Sequence, residues 1–287
     1  MSDRYAVLGN PVAHSRSPFI HARFAAATGE PVEYGRVLCP LDGFADAVAA
    51  FAREGGRGCN VTVPFKFEAL ALARHASARA RLAGAANVLR REPDDSWFAD
   101  NTDGIGLVRD IEQHAGFTIA GSAVLLVGAG GAGAGVLGPL IAARPARLVL
   151  VNRSPDKARA LAERHAAWAD RHHVPLQAGG LDAPLGGFQL VVNASSSSLL
   201  GAAPPVAPSV FRAGALAVDL MYGPAAAPFL DWALRHGAAH VRDGLGMLVE
   251  QAAEAFFVWR GVRPATTPVL AALREAVSGG VDGAAGR

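Results

Sequence analysis

Short apolar runs alternate with stretches of helical periodicity along most of the chain. Residues 5–8 (YAVL) read as a strand, and 18–28 as a helix with Pro18 near its first position. Residues 32–38 give a second strand, and 44–53 a helix with apolar side chains on one face. A third strand over 58–63 leads through Pro64 into a helix that opens at Lys66 and runs to residue 73. Residues 87–98 form a further β-rich passage, with Asp94-Asp95 as its turn. Strands alternating with helices of about 10 to 15 residues predict βαβ units and a mostly parallel sheet, an α/β fold class.

A second alternation starts near Gly104, so a domain boundary is expected at Asp103-Gly104. It predicts helices over 105–115, 132–142 and 155–166, interleaved with strands over 123–127, 147–151, 190–193 and 215–219. Two more helices, 245–259 and 268–277, precede a glycine-rich tail, SGGVDGAAGR, that is expected to fray. One stretch, 116–143, carries no charge and is long enough to cross a bilayer. Its strand-like 124–127, its glycine cluster and Pro139 punctuate it instead into strand, turn and helix.

Composition narrows the class of function. The 27 basic residues stand against 25 acidic ones, a formal charge of +2 that gives no basis for a nucleic-acid or membrane-surface partner. Cys39 and Cys59 form neither a metal spacing nor a disulfide framework, and fit buried free thiols in a reducing compartment. The N-terminal MSDRYAVLGNPVAHS lacks an apolar signal region, so a cytoplasmic protein is expected. Nine histidines are scattered, and His172-His173 lacks companions at ligand spacing, so no metal is expected. A homodimer is left open.

Candidate chemistry begins after the 124–127 run, with GAGGAGAG over 128–135. Gly128, Gly130 and Gly133 satisfy G-x-G-x-x-G between a strand and a helix, with Ala129, Gly131 and Ala132 completing the turn. Glycine lets the backbone turn tightly and approach a pyrophosphate, and the helix N-terminus offers free N–H groups to the anion. The following strand ends in Asn152, Arg153, Ser154 and, one turn on, Lys157. Arg153 stands where an NAD site carries a carboxylate for the ribose hydroxyls. A guanidinium and an ammonium suit a 2′-phosphate instead, so NADP is the expected cofactor.

Lys66 poses a separate question, because the first turn of a helix favours an anion over a cation. It belongs to one of three polar clusters in apolar surroundings: 10–21, 60–66 and 100–106. Taken singly, Ser15 and Ser17 could be helix caps, and Asn101 and Thr102 turn residues. Together the blocks GNPVAHSRSPFIH, NVTVPFK, AGAANVL, DNTDG, GAGGAGAG, NRS and DGLGMLVEQAAEAF run in order from Tyr5 to about Pro268. In this the chain resembles the shikimate dehydrogenase family.

The resemblance implies a two-domain α/β enzyme that binds a small molecule in the cleft between its domains. Residues 1–103 and 242–287 would form the substrate domain, the C-terminal helices packing back on it, and 104–241 the Rossmann-like NADP domain. The substrate's carboxylate would meet Ser15 and Ser17. Its ring hydroxyls would meet Thr62, Lys66, Asn87, Asp103 and Gln251, with Tyr222 nearby. Lys66 and Asp103 would be the catalytic pair, the lysine donating a proton to the ketone oxygen as hydride reaches carbon. A free lysine is a poor base at neutral pH, so oxidation should prefer alkaline conditions. Ser195, Met221, Gly244, Met247 and Leu248 match positions at the nicotinamide end, although Met247 and Leu248 also fit ordinary helix core.

The implied reaction is reversible NADPH-dependent reduction of 3-dehydroshikimate to shikimate. The alternatives are a quinate/shikimate dehydrogenase, against which Arg153 and Ser17 speak, and a non-catalytic ligand sensor, which would need no Lys66–Asp103 pair. Three departures stand out. Gly133-Ala134 replaces a usual Ser-Arg, NASSSSLL (193–200) carries Ser198 where glycine is usual, and Ala227 stands where threonine is common.

Overall fold

The apolar runs become strands, some of them (3–9, 188–193 and 211–219) longer than the runs themselves. The computed structural model describes residues 2–182, 186–198 and 201–278. The tail beyond Ser278, and Leu199 and Leu200 of the serine-rich stretch, lie outside these. The chain divides into two compact units, Met1–Gly106 with Leu248–Arg287, and Leu107–Met247. Each division falls inside a helix, a few residues beyond the boundaries read from the sequence, where a continuous helical pattern gives no punctuation.

In the first unit, β1 (Asp3–Gly9), α1 (Ser17–Thr28), β2 (Val32–Leu38), α2 (Phe44–Arg53), β3 (Gly56–Val61) and α3 (Lys66–Leu72) follow in order. Then come β4 (His75–Ala76), α4 (Ala78–Ala83), β5 (Val88–Arg91), β6 (Trp97–Asp100) and the start of α5 (Asp103–Arg109). The sheet order is β2-β1-β3-β5-β6-β4. Only β5 runs against its neighbours, antiparallel to both β3 and β6. Helix α2 forms because Phe44, Val48 and Phe51 recur on one face and are buried, with Asp46 in its first turn and Arg53 in its last. That face packs with Leu8, Val61, Phe65 and Leu89 on one side of the sheet. On the other side Tyr5 and Val88 meet Ala255 and Trp259 of α9 (Leu245–Arg260). The indole Nε1 of Trp259 donates to the Leu89 carbonyl at 3.0 Å, so the C-terminal segment belongs to this core.

The second unit runs β7 (Ala123–Val127), α6 (Gly131–Ala142), β8 (Arg147–Val151), α7 (Pro155–His172), β9 (Leu176–Gly179), β10 (Phe188–Asn193), β11 (Phe211–Asp219), α8 (Ala227–Arg235) and β12 (His240–Arg242). Every pairing in its sheet is parallel, in the order β12-β11-β10-β7-β8-β9. That is the doubly wound order in which the first strand of the unit lies at the switch point. Strand β7 is buried throughout, its side chains alternating between two cores: Val124 and Leu126 on one face, Leu125 and Val127 on the other. The uncharged stretch is thus this central strand and the buried helix α6. At 12 residues α6 is too short to span a bilayer, and no described helix is long and apolar enough to do so.

Several elements differ from the sequence reading. Helix α5 starts at Asp103 rather than at residue 105, and continues as a π-helical turn over Asp110–His114. The third strand ends at Val61, because Thr62 opens a turn that contains Pro64 and is closed by the Phe65 N–H on the Thr62 carbonyl. Strand β11 begins at Phe211, four residues before 215. Helix α7 continues to His172, since Ala169 still faces the core. The elements β4, α4, β9 and β12 are too short to show a period, and the sequence reading also missed α8, although Phe229 and Ala233 recur four apart on its buried face. Helix α10 (Thr267–Ser278) buries Val269, Leu270 and Leu273.

Candidate active site

Topology brings the polar clusters of the first unit to one edge of its sheet. Strands β1, β2 and β3 are parallel, and ligands of such sheets collect beyond the carboxyl ends. The antiparallel β5 starts at that same edge and β6 ends there, as the register Asn60–Val88–Asp100 shows. Asn87 therefore precedes a strand, whereas Thr62 and Asp103 follow strands, and all stand at one end.

Lys66 sits in the first turn of α3 with its Nζ 2.6 Å from Asp103 Oδ2. Only 14% of the lysine side chain and 6% of the aspartate is exposed, so little water screens the pair. Asp103 lies in the first turn of α5, where a carboxylate complements the helix dipole. This aspartate offsets the unfavourable placement of the lysine. Asn87 Nδ2 donates to Asp103 Oδ1 at 2.8 Å, and also approaches Thr102 Oγ1 at 3.0 Å and Gln251 Oε1 at 3.1 Å. The Asn87 side-chain oxygen Oδ1 accepts the Thr102 backbone N–H at 2.8 Å. Gln251 in turn donates to the Leu248 carbonyl at 2.8 Å. All four of Asn87, Thr102, Asp103 and Gln251 are buried.

Ser15 and Ser17 form a second group. Their hydroxyls are 3.2 Å apart, and the Ser17 backbone N–H points at Ser15 Oγ at 3.3 Å. Neither hydroxyl is hydrogen-bonded to the Lys66 cluster. Thr62 is seated by Gly9, where an added Cβ would come within 2.3 Å of the threonine methyl. Beneath the cluster, Tyr34 Oη donates to Asn60 Oδ1 at 2.6 Å, and Asn60 Nδ2 reaches the Asn87 carbonyl at 3.3 Å. Sequence reasoning did not single out Asn60 or Tyr34. For Asn60 the signal available was a polar side chain within a strand that is buried from Gly58 on.

The glycine loop of the second unit has the geometry its motif requires. Gly128 has φ +113°, and a Cβ there would lie 2.8 Å from the Ala194–Ser195 backbone. At Gly133 a Cβ would come 2.0 Å from the Gly128 carbonyl oxygen, so in this chain helix and loop pack directly against a bare glycine. Gly130, the N-cap of α6, has open space on its Cβ side, and no side chain caps the helix or puts a carboxylate in its first turn. The N–H groups of Gly131 and Ala132 open that helix, and the Ala129 N–H is held by Asn152 Oδ1 at 3.2 Å. The donor set fits a dinucleotide pyrophosphate. Arg153, Ser154 and Lys157 are exposed just beyond β8, and among the described residues no carboxylate pairs with Arg153 or Lys157. That arrangement suits a further phosphate.

Next to this loop a buried carboxylate organises two more segments. Asp219 accepts from Ser198 Oγ, from Asn193 Nδ2 at 3.0 Å and from the Met221 N–H at 2.8 Å. Burial pushes its carboxyl above the usual range, against those three hydrogen bonds. Ser195 donates to Asn193 Oδ1 at 2.7 Å, which ties it to the same group. Gly244 donates to the Met221 carbonyl at 2.8 Å. Tyr222 follows, half-buried, ahead of a short 3₁₀ turn (Gly223–Ala225) in this second unit. Met247 is buried in the apolar core with Leu107 and Ile111, and Leu248 is half-buried in the first unit. Asp219 and Asn193 were not chosen as site residues from sequence, because an acid closing an apolar strand reads as a turn residue.

Comparison with known proteins gives three consecutive family matches. Residues 7–89 match the shikimate dehydrogenase substrate binding domain, 110–199 match shikimate / quinate 5-dehydrogenase, and 244–274 match the shikimate 5′-dehydrogenase C-terminal domain. The chain is 64% identical over 283 residues to shikimate dehydrogenase (NADP(+)) of Methylibium petroleiphilum, covering 96% of each. Among solved structures, an Ael1 enzyme from Pseudomonas putida is similar at 46% identity and TM-score 0.84, over 95% of this chain and 98% of that one. Shikimate 5-dehydrogenase from Thermus thermophilus, solved with NADP(H) and shikimate, is 33% identical with TM-score 0.82, over 96% of this chain and 100% of that one.

Proposed function

The chain belongs to the shikimate dehydrogenase family, and we propose that it interconverts 3-dehydroshikimate and shikimate with NADP(H). The observation that carries this reading is the Lys66–Asp103 pair, 2.6 Å apart and nearly dry, with Asn87 holding the far carboxylate oxygen. NADPH, when bound, supplies the hydride. As the ketone carbon gains that hydrogen, the C=O π pair moves onto oxygen, and the Lys66 ammonium donates the proton that this oxygen takes up. Before the transfer the same ammonium stabilises the growing negative charge. Asp103 holds Nζ in place, and Lys66 recovers its proton from water.

Other roles follow from chemistry and position. Ser15 and Ser17 would take the substrate's carboxylate, with Thr62, Asn87, Gln251 and Tyr222 on its hydroxyls. The N–H groups of Gly131 and Ala132, which open α6, support a pyrophosphate site with Gly128–Gly130 giving close approach, and Arg153 and Lys157, which no carboxylate among the described residues pairs, with Asn152 and Ser154 support NADP over NAD. Ser195, Met221, Gly244, Met247 and Leu248 would flank the nicotinamide. The same reading carries a cytoplasmic setting, which the free, buried Cys39 and Cys59 suit, and light scattering on the purified chain decides whether it forms a homodimer.

Initial rates with 3-dehydroshikimate test it. NADPH should be oxidised much faster than NADH, and Lys66→Ala should lower kcat on the order of 10²-fold or more. Equal rates with NADH would sink the cofactor assignment, and full turnover in Lys66→Ala would remove the lysine from the chemistry. No turnover with either cofactor would sink the function.

A further inference from the structure

Two neutral hydroxyls are a poor match for a carboxylate. An anion leaving water needs a cation or several N–H donors to offset its lost hydration. Ser15 and Ser17, half-buried and buried at the start of α1, bring no charge of their own. Arg36 stands beside them. It lies on the edge strand β2, two residues from Tyr34 and therefore on the same face of the sheet. Its guanidinium grips the Ser15 carbonyl with Nε at 3.1 Å and Nη2 at 2.6 Å. Because Ser15 Oγ is bonded both to the Ser17 hydroxyl and to the Ser17 N–H, that grip orients the pair.

The charge of this arginine is not spent elsewhere. In the same unit Arg4, Arg57, Arg79, Arg90 and Arg260 each face a carboxylate. Among the described residues Arg36 faces none, and only a neutral carbonyl occupies it. Arg16, the cation between the two serines, is exposed and has no comparable anchor, so its charge has no fixed place.

We infer that Arg36 is a positioning and specificity-determining residue of the substrate site. It fixes the two serines through the Ser15 carbonyl, and it supplies the positive charge that makes their hydroxyls select an acid over its neutral counterpart. The inference rests on reading Ser15 and Ser17 as the carboxylate site. Arg36 is exposed, so its field acts through partly screened solvent and should influence binding more than the chemical step.

The experiment compares shikimate with its uncharged methyl ester in the wild-type protein, Arg36→Gln and Arg36→Lys. The ester is followed as a substrate, or as a competitive inhibitor if it is not turned over. Arg36→Gln should raise KM for shikimate on the order of tenfold, with kcat within about twofold. The ester's constant should move by less than about twofold, and Arg36→Lys should restore most of the loss by restoring the charge. Raised ionic strength should raise KM for the acid in the wild type and leave Arg36→Gln nearly flat. A KM rise shared equally by acid and ester would mean a purely structural role and overturn the inference, as would no rise in either. Absence of wild-type turnover would instead refute the proposed function, a result that does not depend on Arg36.

Discussion

Exchanging Lys66 and Asp103 together for a neutral pair separates what they do for stability from what they do for chemistry. At 2.6 Å and an effective dielectric of ~20, the gross attraction between the two charges is about 6 kcal/mol, most of it offset by lost hydration. Lys66→Met alone leaves Asp103 charged and 94% covered, with the Asn87 amide as its remaining side-chain donor. Removing one partner of such a pair costs about 3–5 kcal/mol. Lys66→Met with Asp103→Leu leaves no charge behind. Asn87 keeps acceptors at Thr102 and Gln251, so its amide is not orphaned, and stability should return to within about 2 kcal/mol of wild type. Urea unfolding of the four corners of the cycle, with NADPH oxidation rates on each, reads both quantities. The double variant should be folded and at least about 10²-fold slower. If it turned over normally, or if Lys66→Met alone were as stable as wild type, the pair would be neither the chemistry nor a strained neutralisation, and the reasoning would fail.

Two further predictions test the surroundings. His21 is fully buried against Tyr34, ring centroids 4.2 Å apart, with neither nitrogen hydrogen-bonded, and burial pushes its pKa down to about 3. A folded value below the unfolded 6.5 means the unfolded chain takes the proton first. The stability is fully present above pH 6.5 and is lost as pH falls toward 3, by about 2 kcal/mol at pH 5. The drop in Tm between about pH 7.5 and 5 should shrink by roughly 5 °C in His21→Phe, and an unchanged drop would count against this reading. Gly133→Ala should cost about 1–3 kcal/mol and weaken NADPH binding, because its Cβ would meet the Gly128 carbonyl at 2.0 Å. A fluorescence titration and Tm equal to wild type would show that the loop is not closed over that position.

What could be read in advance depended on whether a residue's role is local. Gly128 is demanded by the turn it makes, and the uncharged 124–127 run by its place in the centre of a parallel sheet, so pattern alone found both. Strand direction is only partly local: the Asp94-Asp95 turn makes β5 and β6 antiparallel, but nothing in 87–98 shows that β5 also runs against β3, and that reversal delivers Asn87 to the same edge as Thr62 and Asp103. Lys66 was conspicuous because it opposes its own helix dipole. Thr102 and Asn60 offered no such conflict, and their meaning lies wholly in partners 15 and 27 residues away.

Ser198 makes the same point from the opposite side. It stands where a glycine was expected, and on sequence grounds that put the loop's flexibility in question. Its hydroxyl lands on the buried Asp219, the carboxylate that also receives Asn193 and the Met221 N–H. An acid with burial against it gains from each added donor, so the serine stabilises its ionised form. A departure from a family pattern is therefore weighed by the partner it finds, and here the partner lies 21 residues along the chain on the neighbouring strand.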